Sequence, residues 1–333
     1  MTAVHRAAVI GLGRIGSRFD AEPGRLQVWS HVGAYLACPD RYRLVGACDP
    51  ALEARTALGS RCPAVPVFET VPDLLARTRP TVVSICTPAA THARVLDTVL
   101  EAAEVRAVWC EKPLAASLAD GERMVAACAR EGVTLVVSHV RRWAPLWRRF
   151  RERILDGSIG TLRCLRIAMP NRLWSIGSHA VDLALWLGGP VEAVTAIDVA
   201  ALDENGEPAR PALLALHSGG YAILQVTGLR RGLIVEAEAI GDRGRLALRE
   251  DRNAITLEAF ALSEAYQGYD QLGEAEVEPL PAAPSPFVAI GAEIADNLDD
   301  PGWRPTCDGP AALAVQRVLE KLDAPEVLLE ALG

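Results

Sequence analysis

Three short stretches of the 333-residue chain carry side chains suited to chemistry. In GLGRIG, residues 11–16, Gly11, Gly13 and Gly16 have the G-x-G-x-x-G spacing, with Arg14 and Ile15 between the last two. After an apolar run and ahead of a helix, such glycines allow a tight turn, let the backbone approach a pyrophosphate, and bring strand and helix together. In VWCEKPLA, residues 108–115, Glu111, Lys112 and Pro113 close another apolar run. The proline biases Lys112 toward extended geometry and removes a backbone donor, which fixes where the side chain is aimed. An ammonium in a partly desolvated cleft is pushed toward neutrality and can exchange a proton with a hydroxyl. Without the glycine loop, a solvated lysine paired with Glu111 is the simpler reading. In WSIGSHAVDLALWLGG, residues 174–189, Ser178 is placed to cap a helix starting at His179, and Gly188-Gly189-Pro190 ends it. His179 and Asp182 share a face at its amino end, where the helix dipole favours a neutral imidazole. On its own His179 reads as a packing residue. Two such ligands fall short of a metal site, and no metal is expected.

The surrounding pattern says what must position these groups. Residues 6–138 alternate apolar runs (RAAVI, YRLVGAC, VPVF, TVVSIC, RAVWC, TLVVS) with helical stretches, as in a doubly wound parallel sheet covered on both faces. Ligands of such a sheet lie beyond the carboxyl ends of its strands, where GLGRIG and Lys112 both fall. Asp49, ending the second strand in GACDP, is placed to accept ribose hydroxyls, which favours NAD while leaving NADP open. It lies 33 residues past Gly16 where about 20 is usual. Residues 17–29 look like an insertion, bordering the cofactor cleft or merely decorating the surface. From about residue 161 longer strands follow without intervening helices, punctuated by SGG and GDRG turns, and two helices near 286–299 and 309–322 close the chain. The expected architecture is α/β: a Rossmann domain over 1–138, and an α+β domain over 139–333 with a large, mostly antiparallel sheet.

Composition narrows the partners. Lysine and arginine number 34 against 42 acids, a formal charge of −8, which argues against a nucleic-acid backbone or an anionic membrane and for a small molecule. No apolar run is long enough to span a bilayer. The eight cysteines include no C-x-x-C pair and suit buried thiols in a reducing, cytoplasmic setting. The arginines of RRWAPLWRRFRER, residues 141–153, read as the solvated face of a helix packed through Trp143 and Trp147. Arg142, at its start, is the candidate contact for an anionic substrate or cofactor group.

GLGRIG, CDP, CTPAATH and CEKP, in this order, resemble the glucose-fructose oxidoreductase, inositol dehydrogenase and MocA family. The resemblance extends through RRWAPLWRRFRERILDGSIGTL and EAIGDRGRLAL to the terminal helices. It implies an NAD(P)-dependent oxidoreductase acting on a secondary alcohol or ketone carbon of a sugar, cyclitol or sugar nucleotide, with the large sheet of 139–333 used in substrate binding and oligomerisation, and often a cis bond before the motif's proline; a large one-faced sheet needs covering, so a homodimer or homotetramer is expected. It implies Lys112 as the catalytic lysine and His179 as its partner, Thr87, Pro88, His92 and Glu111 on the cofactor side, and Ser175 beside the substrate. Relatives commonly carry Asp-x-Gly-x-His where this chain has Ser175-Ile176-Gly177-Ser178-His179, so one acid of the usual relay is replaced. The alternatives are a dinucleotide-binding regulatory protein without catalysis and a redox-neutral NAD-dependent glycosidase.

Overall fold

A computed structural model describes residues 4–24, 27–170, 173–196, 210–226 and 232–324. The chain divides into two compact units, residues 1–143 with 284–316, and residues 144–283 with 317–333. The expected break at 138/139 with a single crossing is therefore corrected: residues 284–316 belong with the first unit. The cause is apolar. Phe287, Ile290 and Ile294 of a late helix are at most 2% exposed and sit in one cluster with Trp109, Tyr35 and Val32.

The first unit is built on six parallel strands, β1 (His5–Ile10), β2 (Tyr42–Cys48), β3 (Val67–Phe68), β4 (Val82–Ile85), β5 (Ala107–Cys110) and β6 (Thr134–Val137). Their order is β3-β2-β1-β4-β5-β6, the doubly wound arrangement, with the direction of winding reversing between β1 and β4. β4 and β5 are buried at every residue, as continuous apolar runs covered on both faces must be. The crossovers carry α1 (His31–Leu36), α2 (Leu52–Arg61), α3 (Val71–Thr78), α4 (Ala89–Leu100) and α5 (Leu118–Glu131). Local chemistry fixes several starts: Ser30, Thr70 and Ser117 each accept a backbone N–H from inside their helix.

The second unit contributes α6 (Pro145–Leu155), β7 (Leu162–Met169), α7 (Ser178–Gly188) and the strands β8 (Val191–Ala196), β9 (Ala212–Leu216), β10 (Tyr221–Val226), β11 (Glu236–Gly241), β12 (Gly244–Arg249), β13 (Ala254–Leu262), β14 (Asp270–Leu272) and β15 (Glu276–Pro279). Two more helices follow, α8 (Pro286–Asn297) in the first unit and α9 (Gly309–Asp323), whose residues divide between the units. Among the described residues the second sheet has nine strands, ordered β14-β13-β12-β11-β7-β10-β9-β8 with β15 beside β13. Every pair is antiparallel except β7 with β10. The period-2 pattern separates its faces. Leu165, Ile167, Ala237, Ala239, Leu246 and Leu248 are buried, while Arg166, Glu238, Arg245 and Glu258 alternate with them on the other side. There Arg245 pairs with Glu258 at 2.6 Å and with Glu238 at 3.4 Å. The arginine-rich helix α6 packs through Trp147, as expected, and through Phe150, whereas Trp143 lies ahead of it in a 3-10 turn, and Arg149 and Arg153 are tied to Glu278 at 2.6 and 2.8 Å rather than simply solvated.

Candidate functional site

The glycine loop leaves β1 through Gly11, whose φ of +93° is left-handed and whose added Cβ would lie 2.7 Å from the Cys86 carbonyl group. A Cβ on Gly16 would lie 1.9 Å from the Gly11 oxygen, so turn and helix start touch backbone to backbone. The helix that follows is interrupted. Ser17 N donates to Gly13 O at 3.1 Å, and the chain then departs through a 3-10 turn over Arg18–Ala21. It returns so that His31 N donates to Ile15 O at 3.1 Å and Val32 N to Gly16 O at 3.0 Å. An unbroken α-helix would bond Ile15 O to residue 19, so residue 31 standing in that place marks a detour of twelve residues. Subtracting twelve from the spacing of Gly16 to Asp49 leaves 21, the usual distance in this motif. Asp20 latches the detour, with Oδ1 accepting from Trp29 N at 2.6 Å and Oδ2 from the Ser30 hydroxyl that caps α1.

A cleft of about 710 Å³ opens over this loop, within the size range of cofactor sites. Gly11, Gly13, Arg14, Ile15 and Asp49 line it, and so do Thr87 and Pro88 after β4. Its far wall is apolar, with Val71 and Val95. Asp49 holds the loop as well as facing the cleft: Oδ2 accepts from Leu12 N and Oδ1 from Ala51 N, each at 2.8 Å. Phe19 of the detour also lines the cleft, so the insertion borders the cofactor space. A dinucleotide fits these residues: bare backbone at the turn, amides of a helix start, and an acid at the end of β2.

His92 is corrected. It is 1% exposed and absent from the cleft lining, with Nε2 2.7 Å from Thr87 O and Nδ1 3.1 Å from Leu114 O. It is buried between the loops that follow β4 and β5, where its single N–H in the neutral ring can serve one of the two carbonyls. Arg142 is likewise 6% exposed and donates to Thr306 O at 3.1 Å, a tie inside the first unit rather than an open anion contact.

Lys112 follows β5, and the Lys112-Pro113 bond is cis. Burial pulls its ammonium below the ordinary lysine value; Glu111 opposes this and Arg141 adds to it. Glu111 points inward, 7% exposed, and its Oε1 accepts from His31 Nε2 at 3.0 Å. His31 Nδ1 is 2.9 Å from Ser84 Oγ, which is 2.7 Å from the Tyr35 hydroxyl. Trp109 packs on the imidazole with ring centroids 3.8 Å apart. With Glu111 ionised, Nε2 must carry a proton, and the chain Tyr35 to Ser84 to His31 to Glu111 then gives each donor one acceptor. Burial alone would push the Glu111 carboxyl up; the hydrogen bond from His31 and the nearby Lys112 charge bring it below its usual value. His31, Ser84 and Tyr35 were missed in the sequence, because the detour moves His31 away from the glycines it belongs with.

In the second unit, α7 continues a π-helical turn over Leu173–Gly177. Ser178 is no cap: its hydroxyl donates to Ser175 O at 2.7 Å, and Gly177, preceding α7, is already helical. His179 therefore lies more than a turn inside a helical run, not at the free amino end the dipole argument needs. It is 9% exposed and Asp182 1%. Gly189, at φ +92°, ends the helix as expected. Burial pushes the Cys86 and Cys110 thiols well up and Cys128 to about 12, so all three stay neutral thiols without nucleophilic character. Among the described residues no group of three or more His, Cys, Asp or Glu could hold a metal ion.

The first unit is thus, by fold and cleft, a dinucleotide-binding Rossmann unit. Residues 5–139 match the oxidoreductase family with NAD-binding Rossmann fold. The chain is 28% identical to a D-apiose dehydrogenase of Paraburkholderia graminis over 64% of this chain, and spans only 62% of that relative's length. It is 27% identical to the myo-inositol dehydrogenase Hyg17 of Streptomyces leeuwenhoekii over 72% of this chain and 75% of that one. Among solved structures, the WlbA dehydrogenase of Bordetella pertussis, in complex with NADH and UDP-GlcNAcA, superposes with a TM-score of 0.74 at 23% identity, covering 96% of each chain. At that identity the likeness speaks for the fold.

Proposed function

We propose that the chain is an NAD(P)-dependent dehydrogenase exchanging hydride with a secondary alcohol or ketone carbon of a sugar, cyclitol or sugar nucleotide. The observation that carries the reading is a lysine with a burial-lowered pKa at the carboxyl end of β5, in the same unit as a glycine-loop cleft of dinucleotide size. The relatives, named for sugar and cyclitol oxidation, support the substrate class. When bound, the dinucleotide supplies the hydride chemistry. Gly11, Gly13 and Gly16 keep its seat clear, Asp49 and Thr87 orient it, and Lys112 takes the hydroxyl proton in oxidation or returns it in reduction. His179, in the second unit, is assigned to the substrate side with Ser175. Neutral buried thiols agree with a reducing, cytoplasmic setting. Among the described residues no helix is long and apolar enough to cross a membrane. The unburied side of the second sheet, where Leu213 and Tyr221 are each 44% exposed, is the surface assigned to self-association as a homodimer or homotetramer.

The test is absorbance of the reduced nicotinamide during incubation with NAD+ or NADP+ and a panel of aldoses, cyclitols and UDP-sugars. Turnover of at least one hydroxyl compound is expected. NADH binding with no turnover across the panel would instead favour a nucleotide-responsive regulatory protein, and release of an aglycone without net reduced cofactor a glycosidase.

A further inference from the structure

The detour does more than lengthen the first helix. Arg14, between the second and third glycines, is held by Glu22 of the detour through two hydrogen bonds, Nε to Oε1 at 2.8 Å and Nη2 to Oε2 at 3.2 Å. Its guanidinium also lies 4.2 Å over the Phe19 ring. The pair is exposed, 61% for Arg14 and 33% for Glu22, so it adds little to stability. Its position matters more, because Arg14 and Phe19 line the same cleft as Asp49.

In a Rossmann site the acid ending β2 takes the ribose hydroxyls, and a nearby arginine is what admits a 2′-phosphate. Phosphate is gripped best by the two-pronged face of a guanidinium, and that face of Arg14 is occupied by a carboxylate. Arg55, the next candidate after β2, is spoken for too, donating to Asp49 O and Pro50 O at 2.8 Å and to Glu69 at 3.2 Å. Of the two arginines lining the cleft among the described residues, Arg14 carries a carboxylate and Arg94, on α4, does not. A 2′-phosphate displacing Glu22 from Arg14 would meet the Glu22 and Asp49 charges together.

We propose that Glu22, brought in by the twelve-residue detour, is a specificity determinant: it occupies Arg14 and so excludes the 2′-phosphate, making the chain selective for NAD(H) over NADP(H). This rests on the dinucleotide reading above. The experiment titrates NADH and NADPH into the full-length protein, following nicotinamide fluorescence, and needs no substrate. Wild type should bind NADH more tightly than NADPH. Glu22→Gln, and Glu22→Ala in case the amide re-forms the bond to Arg14, should lower the ratio of the NADPH to the NADH dissociation constant by about tenfold, the scale of one additional charge-assisted hydrogen bond. In an Arg14→Ala background the same Glu22 changes should leave that ratio within about twofold. A wild type that prefers NADPH, a ratio that does not move in either Glu22 variant, or a shift that persists without Arg14 would each overturn the proposal. Wild type binding neither nucleotide would overturn the dinucleotide reading itself, a separate failure visible before any variant is made.

Discussion

Removing the His31 imidazole should expose how Glu111 is kept ionised beside Lys112. His31 is fully buried, packed against Trp109, and hydrogen-bonded to Glu111 at 3.0 Å. In His31→Ala the carboxylate would keep the Lys112 N–H at 3.3 Å, the nearby Lys112 charge and Ser138, and lose its hydrogen bond to the imidazole. Breaking one side of a buried pair costs about 3–5 kcal/mol, because the remaining charge is stranded without its solvation. For a unit of this size that is a fall in melting temperature on the order of 10 °C. The sign with pH is fixed by Glu111. In wild type its folded pKa lies below the unfolded one, so its contribution is present above the unfolded value and lost as pH falls through the folded one. In the variant, burial acts without the His31 counterweight and moves the folded pKa up, so the stability that ionised Glu111 contributes at neutral pH is lost. Adding Glu111→Gln to His31→Ala removes the stranded charge. Denaturant melts should show the double variant more stable than the single one by at least about 1 kcal/mol at neutral pH, and the gain should vanish near pH 4. A cost for His31→Ala under about 1 kcal/mol, or a second change that destabilises further at neutral pH, would refute the stranded-carboxylate account.

Three other outcomes can be checked directly. Lys112→Met should retain NADH binding while turnover falls about 10²- to 10⁴-fold. In wild type the oxidation rate should rise with pH to a plateau whose midpoint lies below that of ordinary lysine, and a midpoint at the ordinary value would remove the proton from Lys112. Gly16→Ala, with its Cβ 1.9 Å from Gly11 O, should lose dinucleotide binding and cost about 2 kcal/mol or more, since neither backbone can yield; normal NADH titration would contradict that contact. Asp20→Ala should unlatch residues 18–29 and make them the first site of limited proteolysis, at a stability cost of about 1–2 kcal/mol. An unchanged cleavage pattern would mean the latch is dispensable.

Glycine spacing, the apolar runs of β1 to β6 and the proline after Lys112 are local signals, and the Rossmann unit was legible from them. Most strands of the second sheet were legible for the same reason, through alternation and the SGG and GDRG turns. What escaped was long-range. Nothing local marks His31 as the residue that resumes hydrogen bonding to Ile15, so residues 17–29 read only as an insertion and the Glu111 network stayed hidden. Ser178 has the composition of a cap, yet its hydroxyl turns back to Ser175 because helical structure has already begun at Leu173. His92 follows a strand end as a cofactor contact would, but its ring is buried against the Thr87 and Leu114 carbonyls. The allegiance of α8 depends on where Phe287, Ile290 and Ile294 find apolar cover, which its own periodicity does not state.

That last placement has a consequence for synthesis. The aromatic centre around Trp109 is closed partly by Phe287, about 180 residues downstream, so a ribosome will have emitted β7 through β15 before the nucleotide-binding half can complete itself. Vectorial folding, amino-terminal half first, is thereby interrupted: the early half must wait with an apolar flank open, a state that invites chaperone capture. A gene truncated after codon 143 would strand the product in that state permanently.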